Sequence, residues 1–536
     1  MKLKRRLFLK ATVGAGAAYA RKLLQRQSFD LILRGGSVID GSGAPARTAD
    51  VGVAGARISA IGDLSGVTAA RTLDVSGLTV TPGFIDVHTH SEDELITNPK
   101  AESKIRQGVT TELLGMDGGS FAPTSFADEL EKLESSGIAV NAGSFVGQGT
   151  LRGQVMAMSD RAATVAEIAE MQELAASALR QGALGISSGL EYTPGGFATG
   201  DEIGELCKVM GGTRGLYATH MRNEDDRVLE AVEEAIAIAE RGGVGLHISH
   251  LKCQGQRNWS KVDDIFHMIE RAESRGVSVT FDRYPYLAYA TGLSNLMPLW
   301  SREGGSAKFI ERLQDPDVWP RIREAMADKI DLLGSWDAVM ISSVRLPKNV
   351  SLQGRTIAEI VHETGEDPFD YTRSLVIEED NHVDIVGFGM GEETTARILA
   401  HPKCMPASDA SALATYGALS RGNPHPRAYG TFARVLSKYV REMNVMTLEE
   451  SIRKMTSLPA ERFAIADRGR LAEGYFADIA VFDQSTVEDK ATFAKPHQYA
   501  RGFEAVLVNG QLVLEGDERS EELPGKVLRG DVTPAV

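Results

Sequence analysis

Two textures of hydrophobic and polar positions divide this chain. From Phe29 to Thr81, and again over about 470–520, short alternating runs such as Asp30-Leu31-Ile32-Leu33, Asp50-Val51-Gly52-Val53 and Ala477-Asp478-Ile479-Ala480-Val481-Phe482 are broken by glycine-containing turns. Alternation of this kind predicts antiparallel strands. β-rich ends around a different middle predict one small β-sandwich, residues 29–82 plus 470–520, assembled from both termini. Between them, apolar runs alternate with helical stretches, the pattern of parallel strands joined by crossover helices. Strands are predicted to end near His90, Gly115, Asn141, Ser187, His220, His250, Asp282 and Asp409, with helices over Thr164 to Gln181 and Arg227 to Arg241. Eight such strands predict an α/β fold, a TIM-like (β/α)8 barrel over 83–469. The span from about 293 to 395 is too long for one crossover helix and predicts a subdomain inserted over the barrel mouth.

Active residues of such barrels lie at the carboxyl ends of the strands. The first of these ends carries Pro82-Gly-Phe-Ile-Asp-Val-His-Thr-His90. Alternation along a strand sends His88 and His90 the same way, either as two neutral imidazoles toward a divalent metal or as two core histidines. His220 and His250 each end a later apolar run, and two strand-end histidines on consecutive strands favour a metal site over packing. His247, of opposite strand parity to His250, is predicted to pack on the outside of the sheet. Asp117, beside two glycines, is either a metal-bridging carboxylate or the aspartate of an Asp-Gly turn. Asp409 is either a general base beside metal-activated water or a helix N-cap.

Composition narrows the class. The chain has 536 residues, 43% of them hydrophobic and 24% charged, enough apolar material for a large packed core. Its net charge of −15 argues against nucleic acid as a partner, because phosphates call for a basic surface. Three widely spaced cysteines, Cys207, Cys253 and Cys404, exclude a disulfide framework. At the start, Lys4-Arg5-Arg6 precedes a small-residue run and Ala18-Tyr19-Ala20. That order, residues 1–20, resembles a twin-arginine export signal and predicts a periplasmic or extracellular destination. The run is too short to span a bilayer, and no cysteine follows it to carry a lipid, so no stable membrane anchor is predicted.

The combination of His-x-His, two strand-end histidines and a final strand-end aspartate resembles the amidohydrolase superfamily. Ser187-Ser-Gly-Leu-Glu-Tyr-Thr-Pro-Gly195, Thr219-His-Met-Arg-Asn-Glu224, Ser249-His-Leu-Lys252, Asp282-Arg-Tyr-Pro-Tyr286, Phe388-Gly-Met-Gly-Glu392, His425-Pro-Arg-Ala-Tyr-Gly-Thr-Phe432 and Arg453-Lys-Met-Thr-Ser-Leu-Pro-Ala-Glu-Arg462 narrow it to the D-aminoacylases, or N-acyl-D-amino-acid deacylases. That resemblance implies hydrolysis of the amide of a small-molecule N-acyl-D-amino acid to a carboxylate and a free D-amino acid. It implies one or two divalent ions, Zn2+ foremost with Mn2+ or Co2+ as alternatives. His88 and His90 would hold one ion, His220 and His250 the other, with Asp117 between them and Asp409 as catalytic acid and base. Lys252, Tyr192 and Tyr284 would bind the substrate carboxylate.

Three positions depart from the family pattern. Asp117 stands where a bridging cysteine is usual, exchanging a soft ligand for a hard one. Gln148 replaces a histidine in Phe145-Val-Gly-Gln148, and Ala290 replaces a serine. A dipeptide containing a D residue, a cyclic amide, or a metal-free scaffold role are the alternatives. Lys252→Ala separates the first two, because a cyclic amide has no carboxylate to lose. Oligomeric state is not legible in the sequence.

Overall fold

The computed structural model describes residues 29–530; the twin-arginine-type segment, residues 1–20, lies outside the described residues. Among the described residues no helix is long and apolar enough to cross a membrane.

The molecule is a (β/α)8 barrel carrying a terminal sandwich and an insertion. The barrel strands are Phe84–Asp86, Val109–Leu114, Asn141–Ser144 continued beyond Phe145 by Val146–Gly147, Gly185–Gly189, Leu216–His220, Gly245–Ile248, Val279–Arg283 and Cys404–Pro406. Each is parallel to its neighbour. The last and first are tied together where the Asp409 N–H donates to the His88 carbonyl at 2.9 Å. Beneath that bond, Lys104 Nζ is buried 2.8 Å from both Asp86 Oδ2 and Ser408 Oγ, and the Ser408 N–H donates to Asp86 Oδ1 at 2.9 Å. One cation thus fastens the two strand ends that carry His88 and Asp409.

The crossover helices follow their apolar period. Val165–Arg180 buries Met171, Ala175, Ala178 and Leu179, and a capping box between Thr164 and Glu167 starts it. Val228–Gly242 buries Ala231, Val232, Ala235 and Ile238 and ends at Gly243, whose φ of +64° closes the helix as glycine does without strain. The third strand begins at Asn141 and does not end there. Ile138 to Val140 are apolar because they lie beneath the C-terminal segment, whose Gly525 N–H donates to the Ile138 carbonyl, and not because they belong to the ladder.

Strands from both ends of the chain form one nine-stranded sheet, joined where Ile479–Phe482 pairs antiparallel with Thr79–Pro82. Phe29–Val38 changes partners halfway, from Ala69–Asp74 to Thr79–Pro82, which folds the sheet into a small sandwich. After the seventh barrel strand, Ala288–Gly292, Val339–Val344 and Val383–Phe388 form a separate antiparallel sheet. With helices including Ser306–Gln314 and Trp319–Leu333, it closes over its own core of Phe309, Trp319, Ile322 and Met326.

Candidate metal centre

The polar residues at the strand ends converge on Asp117. Its Oδ2 lies 3.3 Å from His88 Nε2, 3.7 Å from His90 Nε2, 3.3 Å from His250 Nε2 and 3.8 Å from His220 Nδ1. Asp409 Oδ1 lies 3.2 Å from His90 Nε2 and 3.6 Å from His88 Nε2. The ligand atoms fall into two sets that share Asp117: His88, His90 and Asp409 on one side, His220 and His250 on the other. Five residues spread over more than three hundred positions, and the carboxylate between them, meet in one place.

The backbone that achieves this is not ordinary strand. His88 and His90 lie just past the end of the first strand, where the chain bends and is tied to the second strand by the Thr89 N–H donating to the Leu113 carbonyl at 3.1 Å. Asp117, His250 and Asp409 all have positive φ, 55°, 32° and 50°. Such left-handed positions cost side-chain-bearing residues on the order of 1 kcal/mol or more each, and here each turns its side chain into the mouth as its strand ends.

Asp282 organises the ring beneath. Its Oδ2 lies 3.2 Å from His88 Nδ1 and 3.0 Å from His247 Nε2, and its Oδ1 accepts from the His250 N–H at 2.9 Å. With its Nδ1 donating to this carboxylate, His88 would present the Nε2 lone pair to a cation bound at the centre. His247 therefore lies inside the barrel, under the site and against Phe463, and not on the outside of the sheet. Counting parity to His250 fails because the strand stops at Ile248 and His250 turns left-handed.

The residues fit a divalent cation. His88 Nε2 and Asp117 Oδ1 are buried without a hydrogen-bond partner among the described residues, a costly state unless another group satisfies them. Ligand atoms around a tetrahedral ion with bonds of ~2.1 Å are ~3.4 Å apart, the range seen between Asp117 Oδ2 and the imidazoles. Charge agrees. Burial works to lower His88 and His90, yet the carboxylates around them raise both above the ordinary imidazole value; His220, likewise buried, is raised to about 10 by Glu224, Asp117 and Glu191. Burial works to raise Asp117, and the imidazoles hold it well below the usual carboxylate range. The arrangement favours positive charge at its centre.

Lys252 is 2% exposed and its Nζ lies 2.6 and 2.7 Å from the two oxygens of Glu224. It is a buried ion pair at the cavity wall and not a free ammonium. Glu224 Oε1 also lies 2.9 Å from His250 Nδ1, fixing the ring as Asp282 fixes His88. Tyr284 stands over the same wall, its hydroxyl buried and without a partner among the described residues, with Arg427 4.8 Å and Lys252 5.8 Å from its ring. The Tyr192 ring lies 4.7 Å from that of His220. All three border a cavity of about 600 Å³ that also admits His90, Asp117, His220, His250 and Asp409. Asp282, Glu224 and Arg427 carry no role in the sequence reading. Each lies within a motif that reading singles out, and a charge ending an apolar strand, as Asp282 does, is the signal that marks it.

A parallel barrel with histidines and aspartates at its strand ends defines a metallohydrolase class, and the comparisons agree. The amidohydrolase family model matches residues 71–359 and 417–514, and this chain belongs to that family. It is 38% identical to D-aminoacylase of Alcaligenes xylosoxydans xylosoxydans over 94% of this chain and 98% of that protein. It is also 38% identical to the same organism's N-acyl-D-glutamate deacylase, over 95% and 98%. The crystal structure of N-acyl-D-glutamate deacylase from Bordetella bronchiseptica, complexed with zinc and a phosphonate mimic of the tetrahedral intermediate, superimposes with a TM-score of 0.80 at 34% identity, over 94% of this chain and all of that one.

Proposed function

We propose that this protein is a divalent-metal-dependent hydrolase that cleaves the amide of N-acyl-D-amino acids, releasing a carboxylate and the free D-amino acid. The observation that carries the reading is the convergence of His88, His90, His220, His250 and Asp409 around Asp117 at the floor of a cavity that also holds Tyr284. His88, His90 and Asp409 would hold one cation, His220 and His250 a second, with Asp117 between. When bound, the cation polarises a carbonyl and makes water acidic enough to ionise near neutral pH. Zinc is the first candidate, supported by the zinc-containing relative; the carboxylate of Asp117 is also compatible with harder ions.

Asp409 is suited to move the proton. Burial alone would raise its carboxyl, but Arg427 and the imidazoles of His88 and His250 hold it below the usual carboxylate range, so it is ionised at neutral pH. It takes a proton from the attacking water and returns it to the amide nitrogen as the C–N bond breaks. The unpaired Tyr284 hydroxyl, backed by the charges of Lys252 and Arg427, receives the substrate carboxylate, and Tyr192 closes the opposite side against His220.

The test is a screen of N-acyl D- and L-amino acids with protein reconstituted with zinc, manganese and cobalt. Turnover of D substrates is expected; hydrolysis of L substrates alone overturns the stereochemical assignment. Asp409→Asn should fold normally and lose at least about 10²-fold in kcat. Residues 1–20 add an address: basic residues, a small-residue run and an A-x-A site in that order support export before the enzyme acts.

A further inference from the structure

Tyr289 is a second phenol on the cavity wall whose hydroxyl has no partner among the described residues, although the residue is only 8% exposed. Its position is built. Tyr289 pairs across the inserted sheet with Gly387, and a Cβ at 387 would overlap its ring. A missing side chain on one strand thus makes the bed for an aromatic ring on the next. Burial pushes the phenol up to about 12, so at neutral pH it remains a hydrogen-bond donor.

Lys329 borders the same cavity from the inserted helix Trp319–Leu333. Its Nζ donates to Asp225 Oδ2 at 2.7 Å and reaches Gln254 Oε1 at 3.5 Å. An ammonium has three donors, which leaves one for a ligand.

We propose that Tyr289 and Lys329 form a side-chain subsite that receives a carboxylate or carboxamide oxygen of the D-residue, making this enzyme selective for acidic and amide side chains over aliphatic ones. The inference rests on the activity proposed above and concerns the same cavity. Two tiers of donors separate the candidates for that oxygen. Lys252 and Tyr284 stand beside His250, with Lys252 Nζ 2.7 Å from His250 Nδ1. The substrate's α-carboxylate, one carbon from the scissile nitrogen, belongs to this inner tier. Among the described residues Tyr289 and Lys329 make no hydrogen bond to the imidazole and aspartate cluster; both come from the inserted subdomain, so they meet the part of the substrate that projects away from the reacting bond. Ala290, next along, offers no hydroxyl, and the phenol of Tyr289 supplies a donor to this wall.

The test compares kcat/KM of the zinc-loaded enzyme for N-acetyl-D-glutamate, N-acetyl-D-glutamine and N-acetyl-D-leucine. Wild type is expected to favour the first two. Tyr289→Phe should lower both preference ratios about 3- to 10-fold through KM, the scale of one hydrogen bond. Lys329→Met should lower the glutamate ratio more than the glutamine ratio, and Lys329→Gln serves if the methionine variant does not fold. Unchanged ratios in folded variants overturn the subsite, and so does an equal loss on all three substrates, which would assign the pair to the α-carboxylate. A wild type that hydrolyses D substrates but prefers leucine overturns this inference alone; no turnover of any N-acyl-D-amino acid overturns the proposed activity and the subsite together.

Discussion

Arg427 Nη1 donates to Asp409 Oδ2 at 2.7 Å while the other oxygen of that carboxylate faces His90 Nε2 at 3.2 Å. The guanidinium occupies the outer oxygen and aims the inner one at the centre. Arg427→Met should therefore lower kcat about 10- to 100-fold by letting Asp409 swing, while substrate binding suffers less. Arg427→Lys should recover part of the loss, since a point charge replaces the fork but not its direction. Equal kcat in wild type and Arg427→Met would remove the arginine from the mechanism.

The Lys252–Glu224 pair is buried on both sides, 2% exposed at each side chain. Breaking such a pair leaves one uncompensated buried charge, at a cost of about 3–5 kcal/mol. Lys252→Met and Glu224→Met should each lower the denaturant midpoint. The double variant Lys252→Met/Glu224→Met should be more stable than the sum of its singles. Additive losses would show that the two residues do not act as a pair.

Asp117 sets the preference of the site for its cation. Asp117→Cys supplies a soft thiolate and should shift selectivity toward zinc over manganese, measured as metal content after dialysis against equimolar mixtures. Asp117→Asn should lower occupancy of both positions. Cation binding to the native state stabilises it by about 2.7 kcal/mol at a hundredfold excess over Kd, so zinc should raise the Tm of chelator-treated wild type and hardly move that of Asp117→Asn.

All three thiols are free and buried. Burial pushes Cys253 and Cys404 up to about 12 and raises Cys207 as well. The thiolate is the reactive form, so at pH 8 a thiol reagent should label none of them in the folded enzyme and all three in denaturant. Rapid labelling of native protein at any one position would contradict this packing.

Export by the N-terminal segment is tested by Arg5→Lys together with Arg6→Lys in the full chain. Accumulation in the cytoplasm is expected, against a mature product outside it for wild type. Equal distribution of both proteins would refute the signal.

The amino-acid sequence alone determined the α/β class, the eight-strand count, the two long crossover helices and the family, because each rests on local periodicity or on a contiguous motif. It also put the four imidazoles and Asp409 at strand ends, since an apolar run that stops at a polar residue is visible in one dimension. Only the tertiary structure decided how those ends are turned. Positive φ at Asp117, His250 and Asp409 turns those side chains into the mouth, and at His250, past a strand that stops at Ile248, it breaks the two-residue alternation that assigned His247 to the outside; no local pattern reports it. The charge partners were equally hidden: Arg427 for Asp409, Glu224 for Lys252 and Asp282 for His88 are paired by barrel closure across 18, 28 and 194 residues. A side chain's type is written in the sequence, but whether it meets water, a counter-ion or another buried group is fixed only when the strands come together.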